Sequence, residues 1–230
     1  MSTGKNSTLH IFEFNEKDIP GLIELSESVG WDYDEHEIGT VMSSGKVFGH
    51  KNAEGRIVSS AAIIPYEASV ASIGMVIVNK EYRGLGLGKE ATQQCMNSLS
   101  SDMAIMLIST EDGKPLYEKM GFQIVDRVHK YICDTYSSPN LTYYSVTIEP
   151  VKESDFHQII KLDEAAFGDQ RSKFLKHRIN QSEECVVAKD NIGNIIGFGL
   201  SILSPINLII GPIVATDAQV ASMILDKVSA

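Results

Sequence analysis

Arg83-Gly84-Leu85-Gly86-Leu87-Gly88 is the stretch whose reading decides the fold. It follows an apolar run, Ser69 to Val78, and precedes a helical pattern starting near Lys89. Small residues at such a junction let backbone N–H groups converge on an anion at a helix N-terminus. A side chain at Gly86 or Gly88 would block a pyrophosphate from those amides, and glycine tolerates the dihedrals of the turn. Arg83 and Lys89 add positive charge.

Spacing separates the possible phosphate loops. A Walker A loop needs GxxxxGK[ST], but Arg83 stands where its first glycine belongs and Glu90 replaces the hydroxyl residue. A dinucleotide fingerprint needs GxGxxG, whereas these glycines run GxGxG after strands that read as antiparallel. A plain tight turn is the remaining alternative.

Outward from the loop, periodicity predicts a strand at Leu9 to Phe14, a helix from Asp18 and a short helix over His36 to Met42. A hairpin follows, from Val47 to His50 through Asn52-Ala53-Glu54-Gly55 to Ile57 to Ile64. Beyond the loop come a helix to about Leu99, a strand Met103 to Ile108, a short helix at Leu116 to Met120 and a strand from Phe122.

The chain repeats itself weakly at an offset of roughly 137 residues. Glu16, Asp18, Leu22, Ile23 and Leu25 answer to Glu153, Asp155, Ile159, Ile160 and Leu162, and Ile73 to Val78 answers to Ile210 to Ala215. The polar stretch Asp134 to Leu141 reads as the linker, giving domains at 1–135 and 144–230 joined by residues 136–143. Val220, Ala221, Met223 and Leu225 stand where the first copy has Arg83, Gly84, Gly86 and Gly88. The second copy stops opposite Gln93, so an incomplete, inactive second lobe is expected.

Composition bounds the function. The 230 residues are 43% hydrophobic and 22% charged, an ordinary globular balance. A net charge of -10 repels polyphosphate backbones, which speaks against nucleic acid as a partner and favours a small cationic one. No apolar run reaches membrane-spanning length, and the first residues lack a signal-peptide pattern, so a cytoplasmic protein is expected. Cys95, Cys133 and Cys185 are odd in number and widely spaced; no disulfide framework or metal site is expected, and they read as small buried hydrophobes.

Arg83, Gly86 and Gly88 fill the fixed positions of [Q/R]xxGx[G/A], the signature of the GNAT acetyltransferase superfamily. Ile73-Gly74-Met75-Val76-Ile77-Val78 resembles that family's fourth strand, and Leu116-Tyr117-Glu118-Lys119-Met120-Gly121-Phe122 resembles its LYxKxGF segment. The likeness covers residues 9 to 132, and the second copy is similar to the degenerate C-terminal domain of a bacterial tandem-GNAT subgroup. The resemblance implies a mixed α/β fold, a mostly antiparallel sheet flanked by helices, followed by a partial second lobe. It implies acetyl-CoA as co-substrate, held by the amides of Leu85 to Lys89 across Gly86, Leu87 and Gly88, with Arg83 and Gly84 leading in and Val76, Ile77 and Val78 pairing with pantetheine. An amide near Ile77 would face the developing oxyanion. Tyr117 is the implied proton donor, protonated at neutral pH because a phenol titrates near ~10. Glu67 is the first candidate base, with Glu24 and Trp31-Asp32-Tyr33-Asp34-Glu35-His36-Glu37 as alternatives; Thr110 replaces an asparagine that contacts the cofactor in relatives. The expected reaction is acetylation of a primary amine on a small molecule. A non-catalytic acyl-CoA-binding module and a protein lysine or N-terminal acetyltransferase are the alternatives, and the sequence leaves the oligomeric state open.

Overall fold

The computed structural model describes residues 9–137 and 145–229. The chain divides into two compact units, Met1–His129 and Lys130–Ala230. Residues 138–144, the heart of the expected linker, lie outside the described residues.

The first unit is built on a five-stranded sheet in the order β1-β2-β3-β4-β5, with β1 Ile11–Glu13, β2 Lys46–Lys51, β3 Ile57–Pro65, β4 Val70–Val78 and β5 Ala104–Leu107. Neighbours are antiparallel except β4 and β5, which run parallel. The helix α1 (Ile19–Ser28) is entered through a 3-10 turn, Glu16–Asp18. There the Asn15 amide donates to the Asp18 carboxylate at 3.0 Å, a reciprocal cap that sets where the helix begins. The helix α2 (Glu35–Ser44) starts where the Asp34 carboxylate accepts the Glu37 amide at 2.8 Å.

Helices cover both faces of this sheet. On one, Leu22, Leu25 and Ile38 of α1 and α2 pack against Val47, Ile57, Ala62, Met75 and Ile77. On the other, Ala91 and Cys95 of α3 (Leu87–Asn97) pack against Phe48, Ala61, Ile63, Ala71 and Ile73. Alternation along β4 therefore serves two cores, with a change of step at its middle.

The second unit holds β6 (Thr147–Pro150), β7 (Glu184–Lys189), β8 (Ile195–Leu203) and β9 (Leu208–Ala215), antiparallel and in that order. Its helices are α5 (Phe156–Phe167), α6 (Ser172–Gln181) and α7 (Ala218–Val228). The repeat reaches individual contacts. Lys51 pairs with Asp18 at 2.6 Å in the first unit, and Lys189 with Asp155 at 3.3 Å in the second. One half of that cap recurs as well, the Lys152 amide donating to the Asp155 carboxylate at 3.0 Å, while a lysine has no side-chain acceptor to return the bond as Asn15 does.

Two expectations need correction. No strand starts at Phe122, and Ile124, Val125 and Val128 are exposed instead. Alternating apolar residues suit a strand, but a strand exists only through its ladder, and this segment has no partner among the described residues. The cysteines also divide: Cys95 is buried, Cys185 half-buried and Cys133 exposed.

Candidate functional site

The glycine loop and the end of β4 form one continuous surface. Strand pairing between β4 and β5 runs from Val70 with Ala104 to Ile73 with Leu107 and stops there. From Gly74 to Val78 the β5-facing edge of β4 has no strand beside it among the described residues. Main-chain groups on such an edge are ready to pair with an extended ligand, as in strand addition.

The chain leaves β4 through Asn79, whose side chain accepts the Glu81 amide at 3.0 Å, and a 3-10 turn, Lys80–Tyr82, leads into the loop. Gly84 and Gly86 have φ of +80° and +82°, and a Cβ on either would meet nothing within 4 Å. They are therefore required by conformation, and the space over them is open. Gly88 has a different reason: a Cβ there would stand 3.3 Å from Val78 Cγ2 and 3.7 Å from Leu116 Cδ2. It lets α3 approach the sheet closely.

Helix α3 opens on Gly86 with no side-chain cap. The first intrahelical bond runs from the Glu90 amide to the Gly86 carbonyl at 3.0 Å, so the amides of Leu87, Gly88 and Lys89 precede the ladder and are available to an anion. Leu85 is 59% exposed. An open depression lined by Leu85, Gly86, Lys89, Glu90, Gln93 and Asn97 extends from the loop along α3. The Arg83 Nε donates to the Val78 carbonyl at the long distance of 3.5 Å, which keeps this cation beside the end of β4.

Tyr117 lies on α4 (Lys114–Lys119), next to the Leu116 that packs towards Gly88. It is buried, set edge-on to Phe122 with ring centroids 6.0 Å apart. Burial pushes its phenol above the ordinary value of 10.0, which holds the proton on it. No hydrogen-bond partner of its hydroxyl occurs among the described residues. Thr110 caps the turn into α4, its hydroxyl accepting the Gly113 amide at 3.1 Å, so that oxygen is engaged locally.

Glu67 is not brought to this surface. It is exposed in the turn between β3 and β4, whereas Val78 and the loop lie at the strand's other end, about 25 Å away at ~3.3 Å per residue. Chain order already sets Glu67 before the start of β4 and the glycine loop after its end, and an extended strand keeps the two apart. Glu24 is exposed on α1. Tyr33 packs against the core that includes Met75 and Ile77, and burial, with Glu37 and Asp32 nearby, raises its phenol above 10.0. Trp31 lies 6.0 Å from it, ring to ring, so the aromatic part of Trp31 to Glu37 borders the α1 and α2 face of β4.

Sequence reading passed over a buried polar line beside the loop. His50 on β2 is fully buried, its Nδ1 2.7 Å from Ser59 Oγ and its Nε2 3.3 Å from the Glu90 carboxylate of α3. The Nε2 contact is electrostatic and not aligned as a hydrogen bond. Burial holds the imidazole below its usual 6.5, and Glu90 opposes that shift in part. Forty residues separate His50 from Glu90 in sequence, and only the packing of α3 on β2 brings them together.

The second unit treats its equivalent helix start differently. The Asp217 side chain accepts the Gln219 and Val220 amides at 2.9 Å each, so a carboxylate of the chain already caps α7. Among the described residues there is no group of three or more His, Cys, Asp or Glu that could hold a metal ion, and no helix long and apolar enough to cross a membrane.

Comparison with known proteins bears on the fold and the family. Residues 31–130 and, separately, 159–230 match acetyltransferase (GNAT) domain families. The chain is 37% identical over 221 residues to the uncharacterized N-acetyltransferase YitH of Bacillus subtilis, covering 96% of this chain and 78% of that protein. An alignment 90 positions long, covering 36% of this chain, is 38% identical to the glucosamine 6-phosphate N-acetyltransferase of Trypanosoma brucei brucei and covers 60% of that protein. Among solved structures, a putative acetyltransferase from Pyrococcus horikoshii shares the fold with a TM-score of 0.72 at 20% identity, over 99% of this chain and 79% of that one. With an uncapped helix start beside an open strand edge, and a relative spanning nearly its whole length, the chain belongs to the GNAT superfamily and is an N-acetyltransferase.

Proposed function

We propose that this enzyme transfers the acetyl group of acetyl-CoA to a primary amine on a small molecule, using one site in the first unit. The observation that carries the reading is the junction of an uncapped α3 start with the free edge of β4. The amides of Leu87, Gly88 and Lys89, with Arg83 and Lys89 as cations, suit a pyrophosphate. The edge from Val76 to Val78 suits the amide groups of a pantetheine arm.

Bound there, acetyl-CoA supplies an activated thioester. The amine attacks in its neutral form after losing a proton to solvent, and the N–C bond forms as the C–S bond breaks. The chain's own part is to orient the thioester, to offer a main-chain amide near Ile77 to developing negative charge, and to protonate the departing sulfur from Tyr117, whose phenolate recovers the proton shed by the acylated nitrogen. Tyr117 holds that proton, and its raised pKa keeps it in the acid form throughout the neutral range. Glu67 is too remote to act as base from the turn it occupies.

A net charge of -10 and the acidic stretch from Asp32 to Glu37 favour an amine that arrives cationic. The match to a glucosamine 6-phosphate N-acetyltransferase supports a small acceptor. Asp217, already seated on the α7 amides, supports one cofactor per chain.

The test is release of free coenzyme A from acetyl-CoA over a panel of amines that includes glucosamine 6-phosphate and polyamines. Wild type should accelerate release with at least one amine, and Gly86→Glu should lose cofactor affinity through bulk and charge. Binding without any amine-dependent release would replace the transferase with an acyl-CoA-binding module. Retained affinity in Gly86→Glu would remove the pyrophosphate assignment.

A further inference from the structure

Strand β4 changes step at its middle. Its register partners on β3 are Ser59 for Val78 and Ser60 for Ile77, and pairing resumes with Ala62 for Gly74. Ala61 thus faces two residues, Met75 and Val76, which form a one-residue bulge. Met75 has φ +49°, the one positive value at a non-glycine position among the described residues. A left-handed backbone is unfavourable for a residue with a side chain, so something must hold it there.

Two anchors do. The Met75 side chain is 3% exposed and packs with Leu22, Leu25 and Ile38. Its carbonyl accepts a hydrogen bond from Ser60 Oγ at 2.8 Å, in a setting where Ser60 has no exposure. A buried carbonyl displaced from its ladder needs another donor, and this hydroxyl supplies it.

We propose that Ser60 is a positioning residue for acetyl transfer: its hydroxyl locks the Met75–Val76 bulge and so fixes the direction of the amides that follow on the open edge of β4. The inference rests on the acetyl-transfer reading above, since it concerns the strand edge offered to the thioester. A preorganised amide must not reorient during reaction, and a peptide tied at both side chain and carbonyl cannot swing freely.

The second unit serves as an internal contrast. Strand β9 carries a bulge of the same kind, Leu200 facing Gly211 and Pro212. Gly211 takes φ +130° there, a value open to glycine, and Gly199 holds the register place beside the bulge that Ser60 holds in the first unit. Where no thioester is proposed to bind, the bulge is made with glycine and no hydroxyl lock. Where one is, a methionine is forced into the turn and a buried serine secures it.

The experiment uses the whole chain with Ser60→Ala and Ser60→Cys, the second keeping volume while weakening the donor. Three readouts are taken: kcat with the amine that wild type accepts, calorimetric affinity for coenzyme A, and hydrogen–deuterium exchange of the peptide over residues 73–78 without ligand. Ser60→Ala should lower kcat about tenfold and Ser60→Cys by less, with coenzyme A affinity within about twofold of wild type, because the α3 amides are untouched. Exchange over 73–78 should rise about fivefold or more in Ser60→Ala. Val47→Ala, a core truncation on β2, should lower thermal stability without moving kcat or this exchange. Unchanged exchange and kcat in Ser60→Ala would overturn the lock, as would an equal kcat loss in Val47→Ala. If Ser60→Ala does not fold, Ser60→Cys decides on the same readouts. A wild type inactive with every amine would remove the transferase reading, whereas the lock is judged separately by exchange in the ligand-free protein.

Discussion

His50 Nε2 lies 3.3 Å from the carboxylate of Glu90, joining the middle of the first sheet to the opening turn of α3. The imidazole is buried and its pKa is held below 6.5, chiefly by loss of water. The unfolded chain therefore binds a proton at this residue more readily than the folded one. This contribution to stability is fully present above pH 6.5 and is lost as the pH falls from there through the native pKa. Denaturant titrations between pH 7.5 and 5 should show wild type weakening on the acid side, and His50→Gln should flatten that slope. Parallel pH profiles for the two proteins would refute the assignment.

Tyr117→Phe should lower kcat by about a hundredfold and leave coenzyme A affinity unchanged, because the ring still packs against Phe122 while the proton is gone. The pH profile adds a second check. With its phenol raised above 10.0, Tyr117 should impose no alkaline fall in rate below pH 10. An unaltered kcat would return the tyrosine to a packing role.

Gly86→Ala should cost about 1 kcal/mol of stability in the absence of ligand, since an L side chain at φ +82° is strained even with open space around it. Gly88→Ala has no such strain and must instead shift Val78. Urea melts of both variants, each repeated with coenzyme A, separate the conformational cost from the steric one. Equal behaviour would mean that the two glycines share one role.

Thiol labelling should separate the cysteines. Cys133 is exposed and should react first with a maleimide in the native protein. Burial pushes the Cys95 and Cys185 thiols up to about 12, so both should label only on unfolding. Mass spectrometry after a short pulse reads the order directly.

Much of this fold is visible in the residues themselves, and the failures have particular causes. Strand β4 and helix α1 stand out because Ala71 and Ile73, and Leu22 and Leu25, keep the period of the element they form. The duplication is legible because Asp18 and Asp155 do the same capping and the same pairing with lysine. The glycine loop is legible because positive φ at Gly84 and Gly86 leaves few other residues possible. Phe122 onward misleads, since alternation does not reveal whether a neighbour strand exists. Glu67 misleads because a hairpin turn puts consecutive residues at one end of a strand and the chemistry at the other. Met75 at φ +49° has no sequence signal at all; it follows from a register shift decided by two strands together.

The Asp217 cap on α7 has a thermodynamic consequence. A helix start satisfied by its own chain has a stability set by the fold alone, whereas the bare start at Gly86 leaves part of its stabilisation to be supplied by whatever binds. Ligand should therefore raise the melting midpoint of the first unit in proportion to the logarithm of its concentration and leave that of the second unmoved. Two copies of one plan are thus distinguishable in a single thermogram, one responsive to its metabolic surroundings and one indifferent to them.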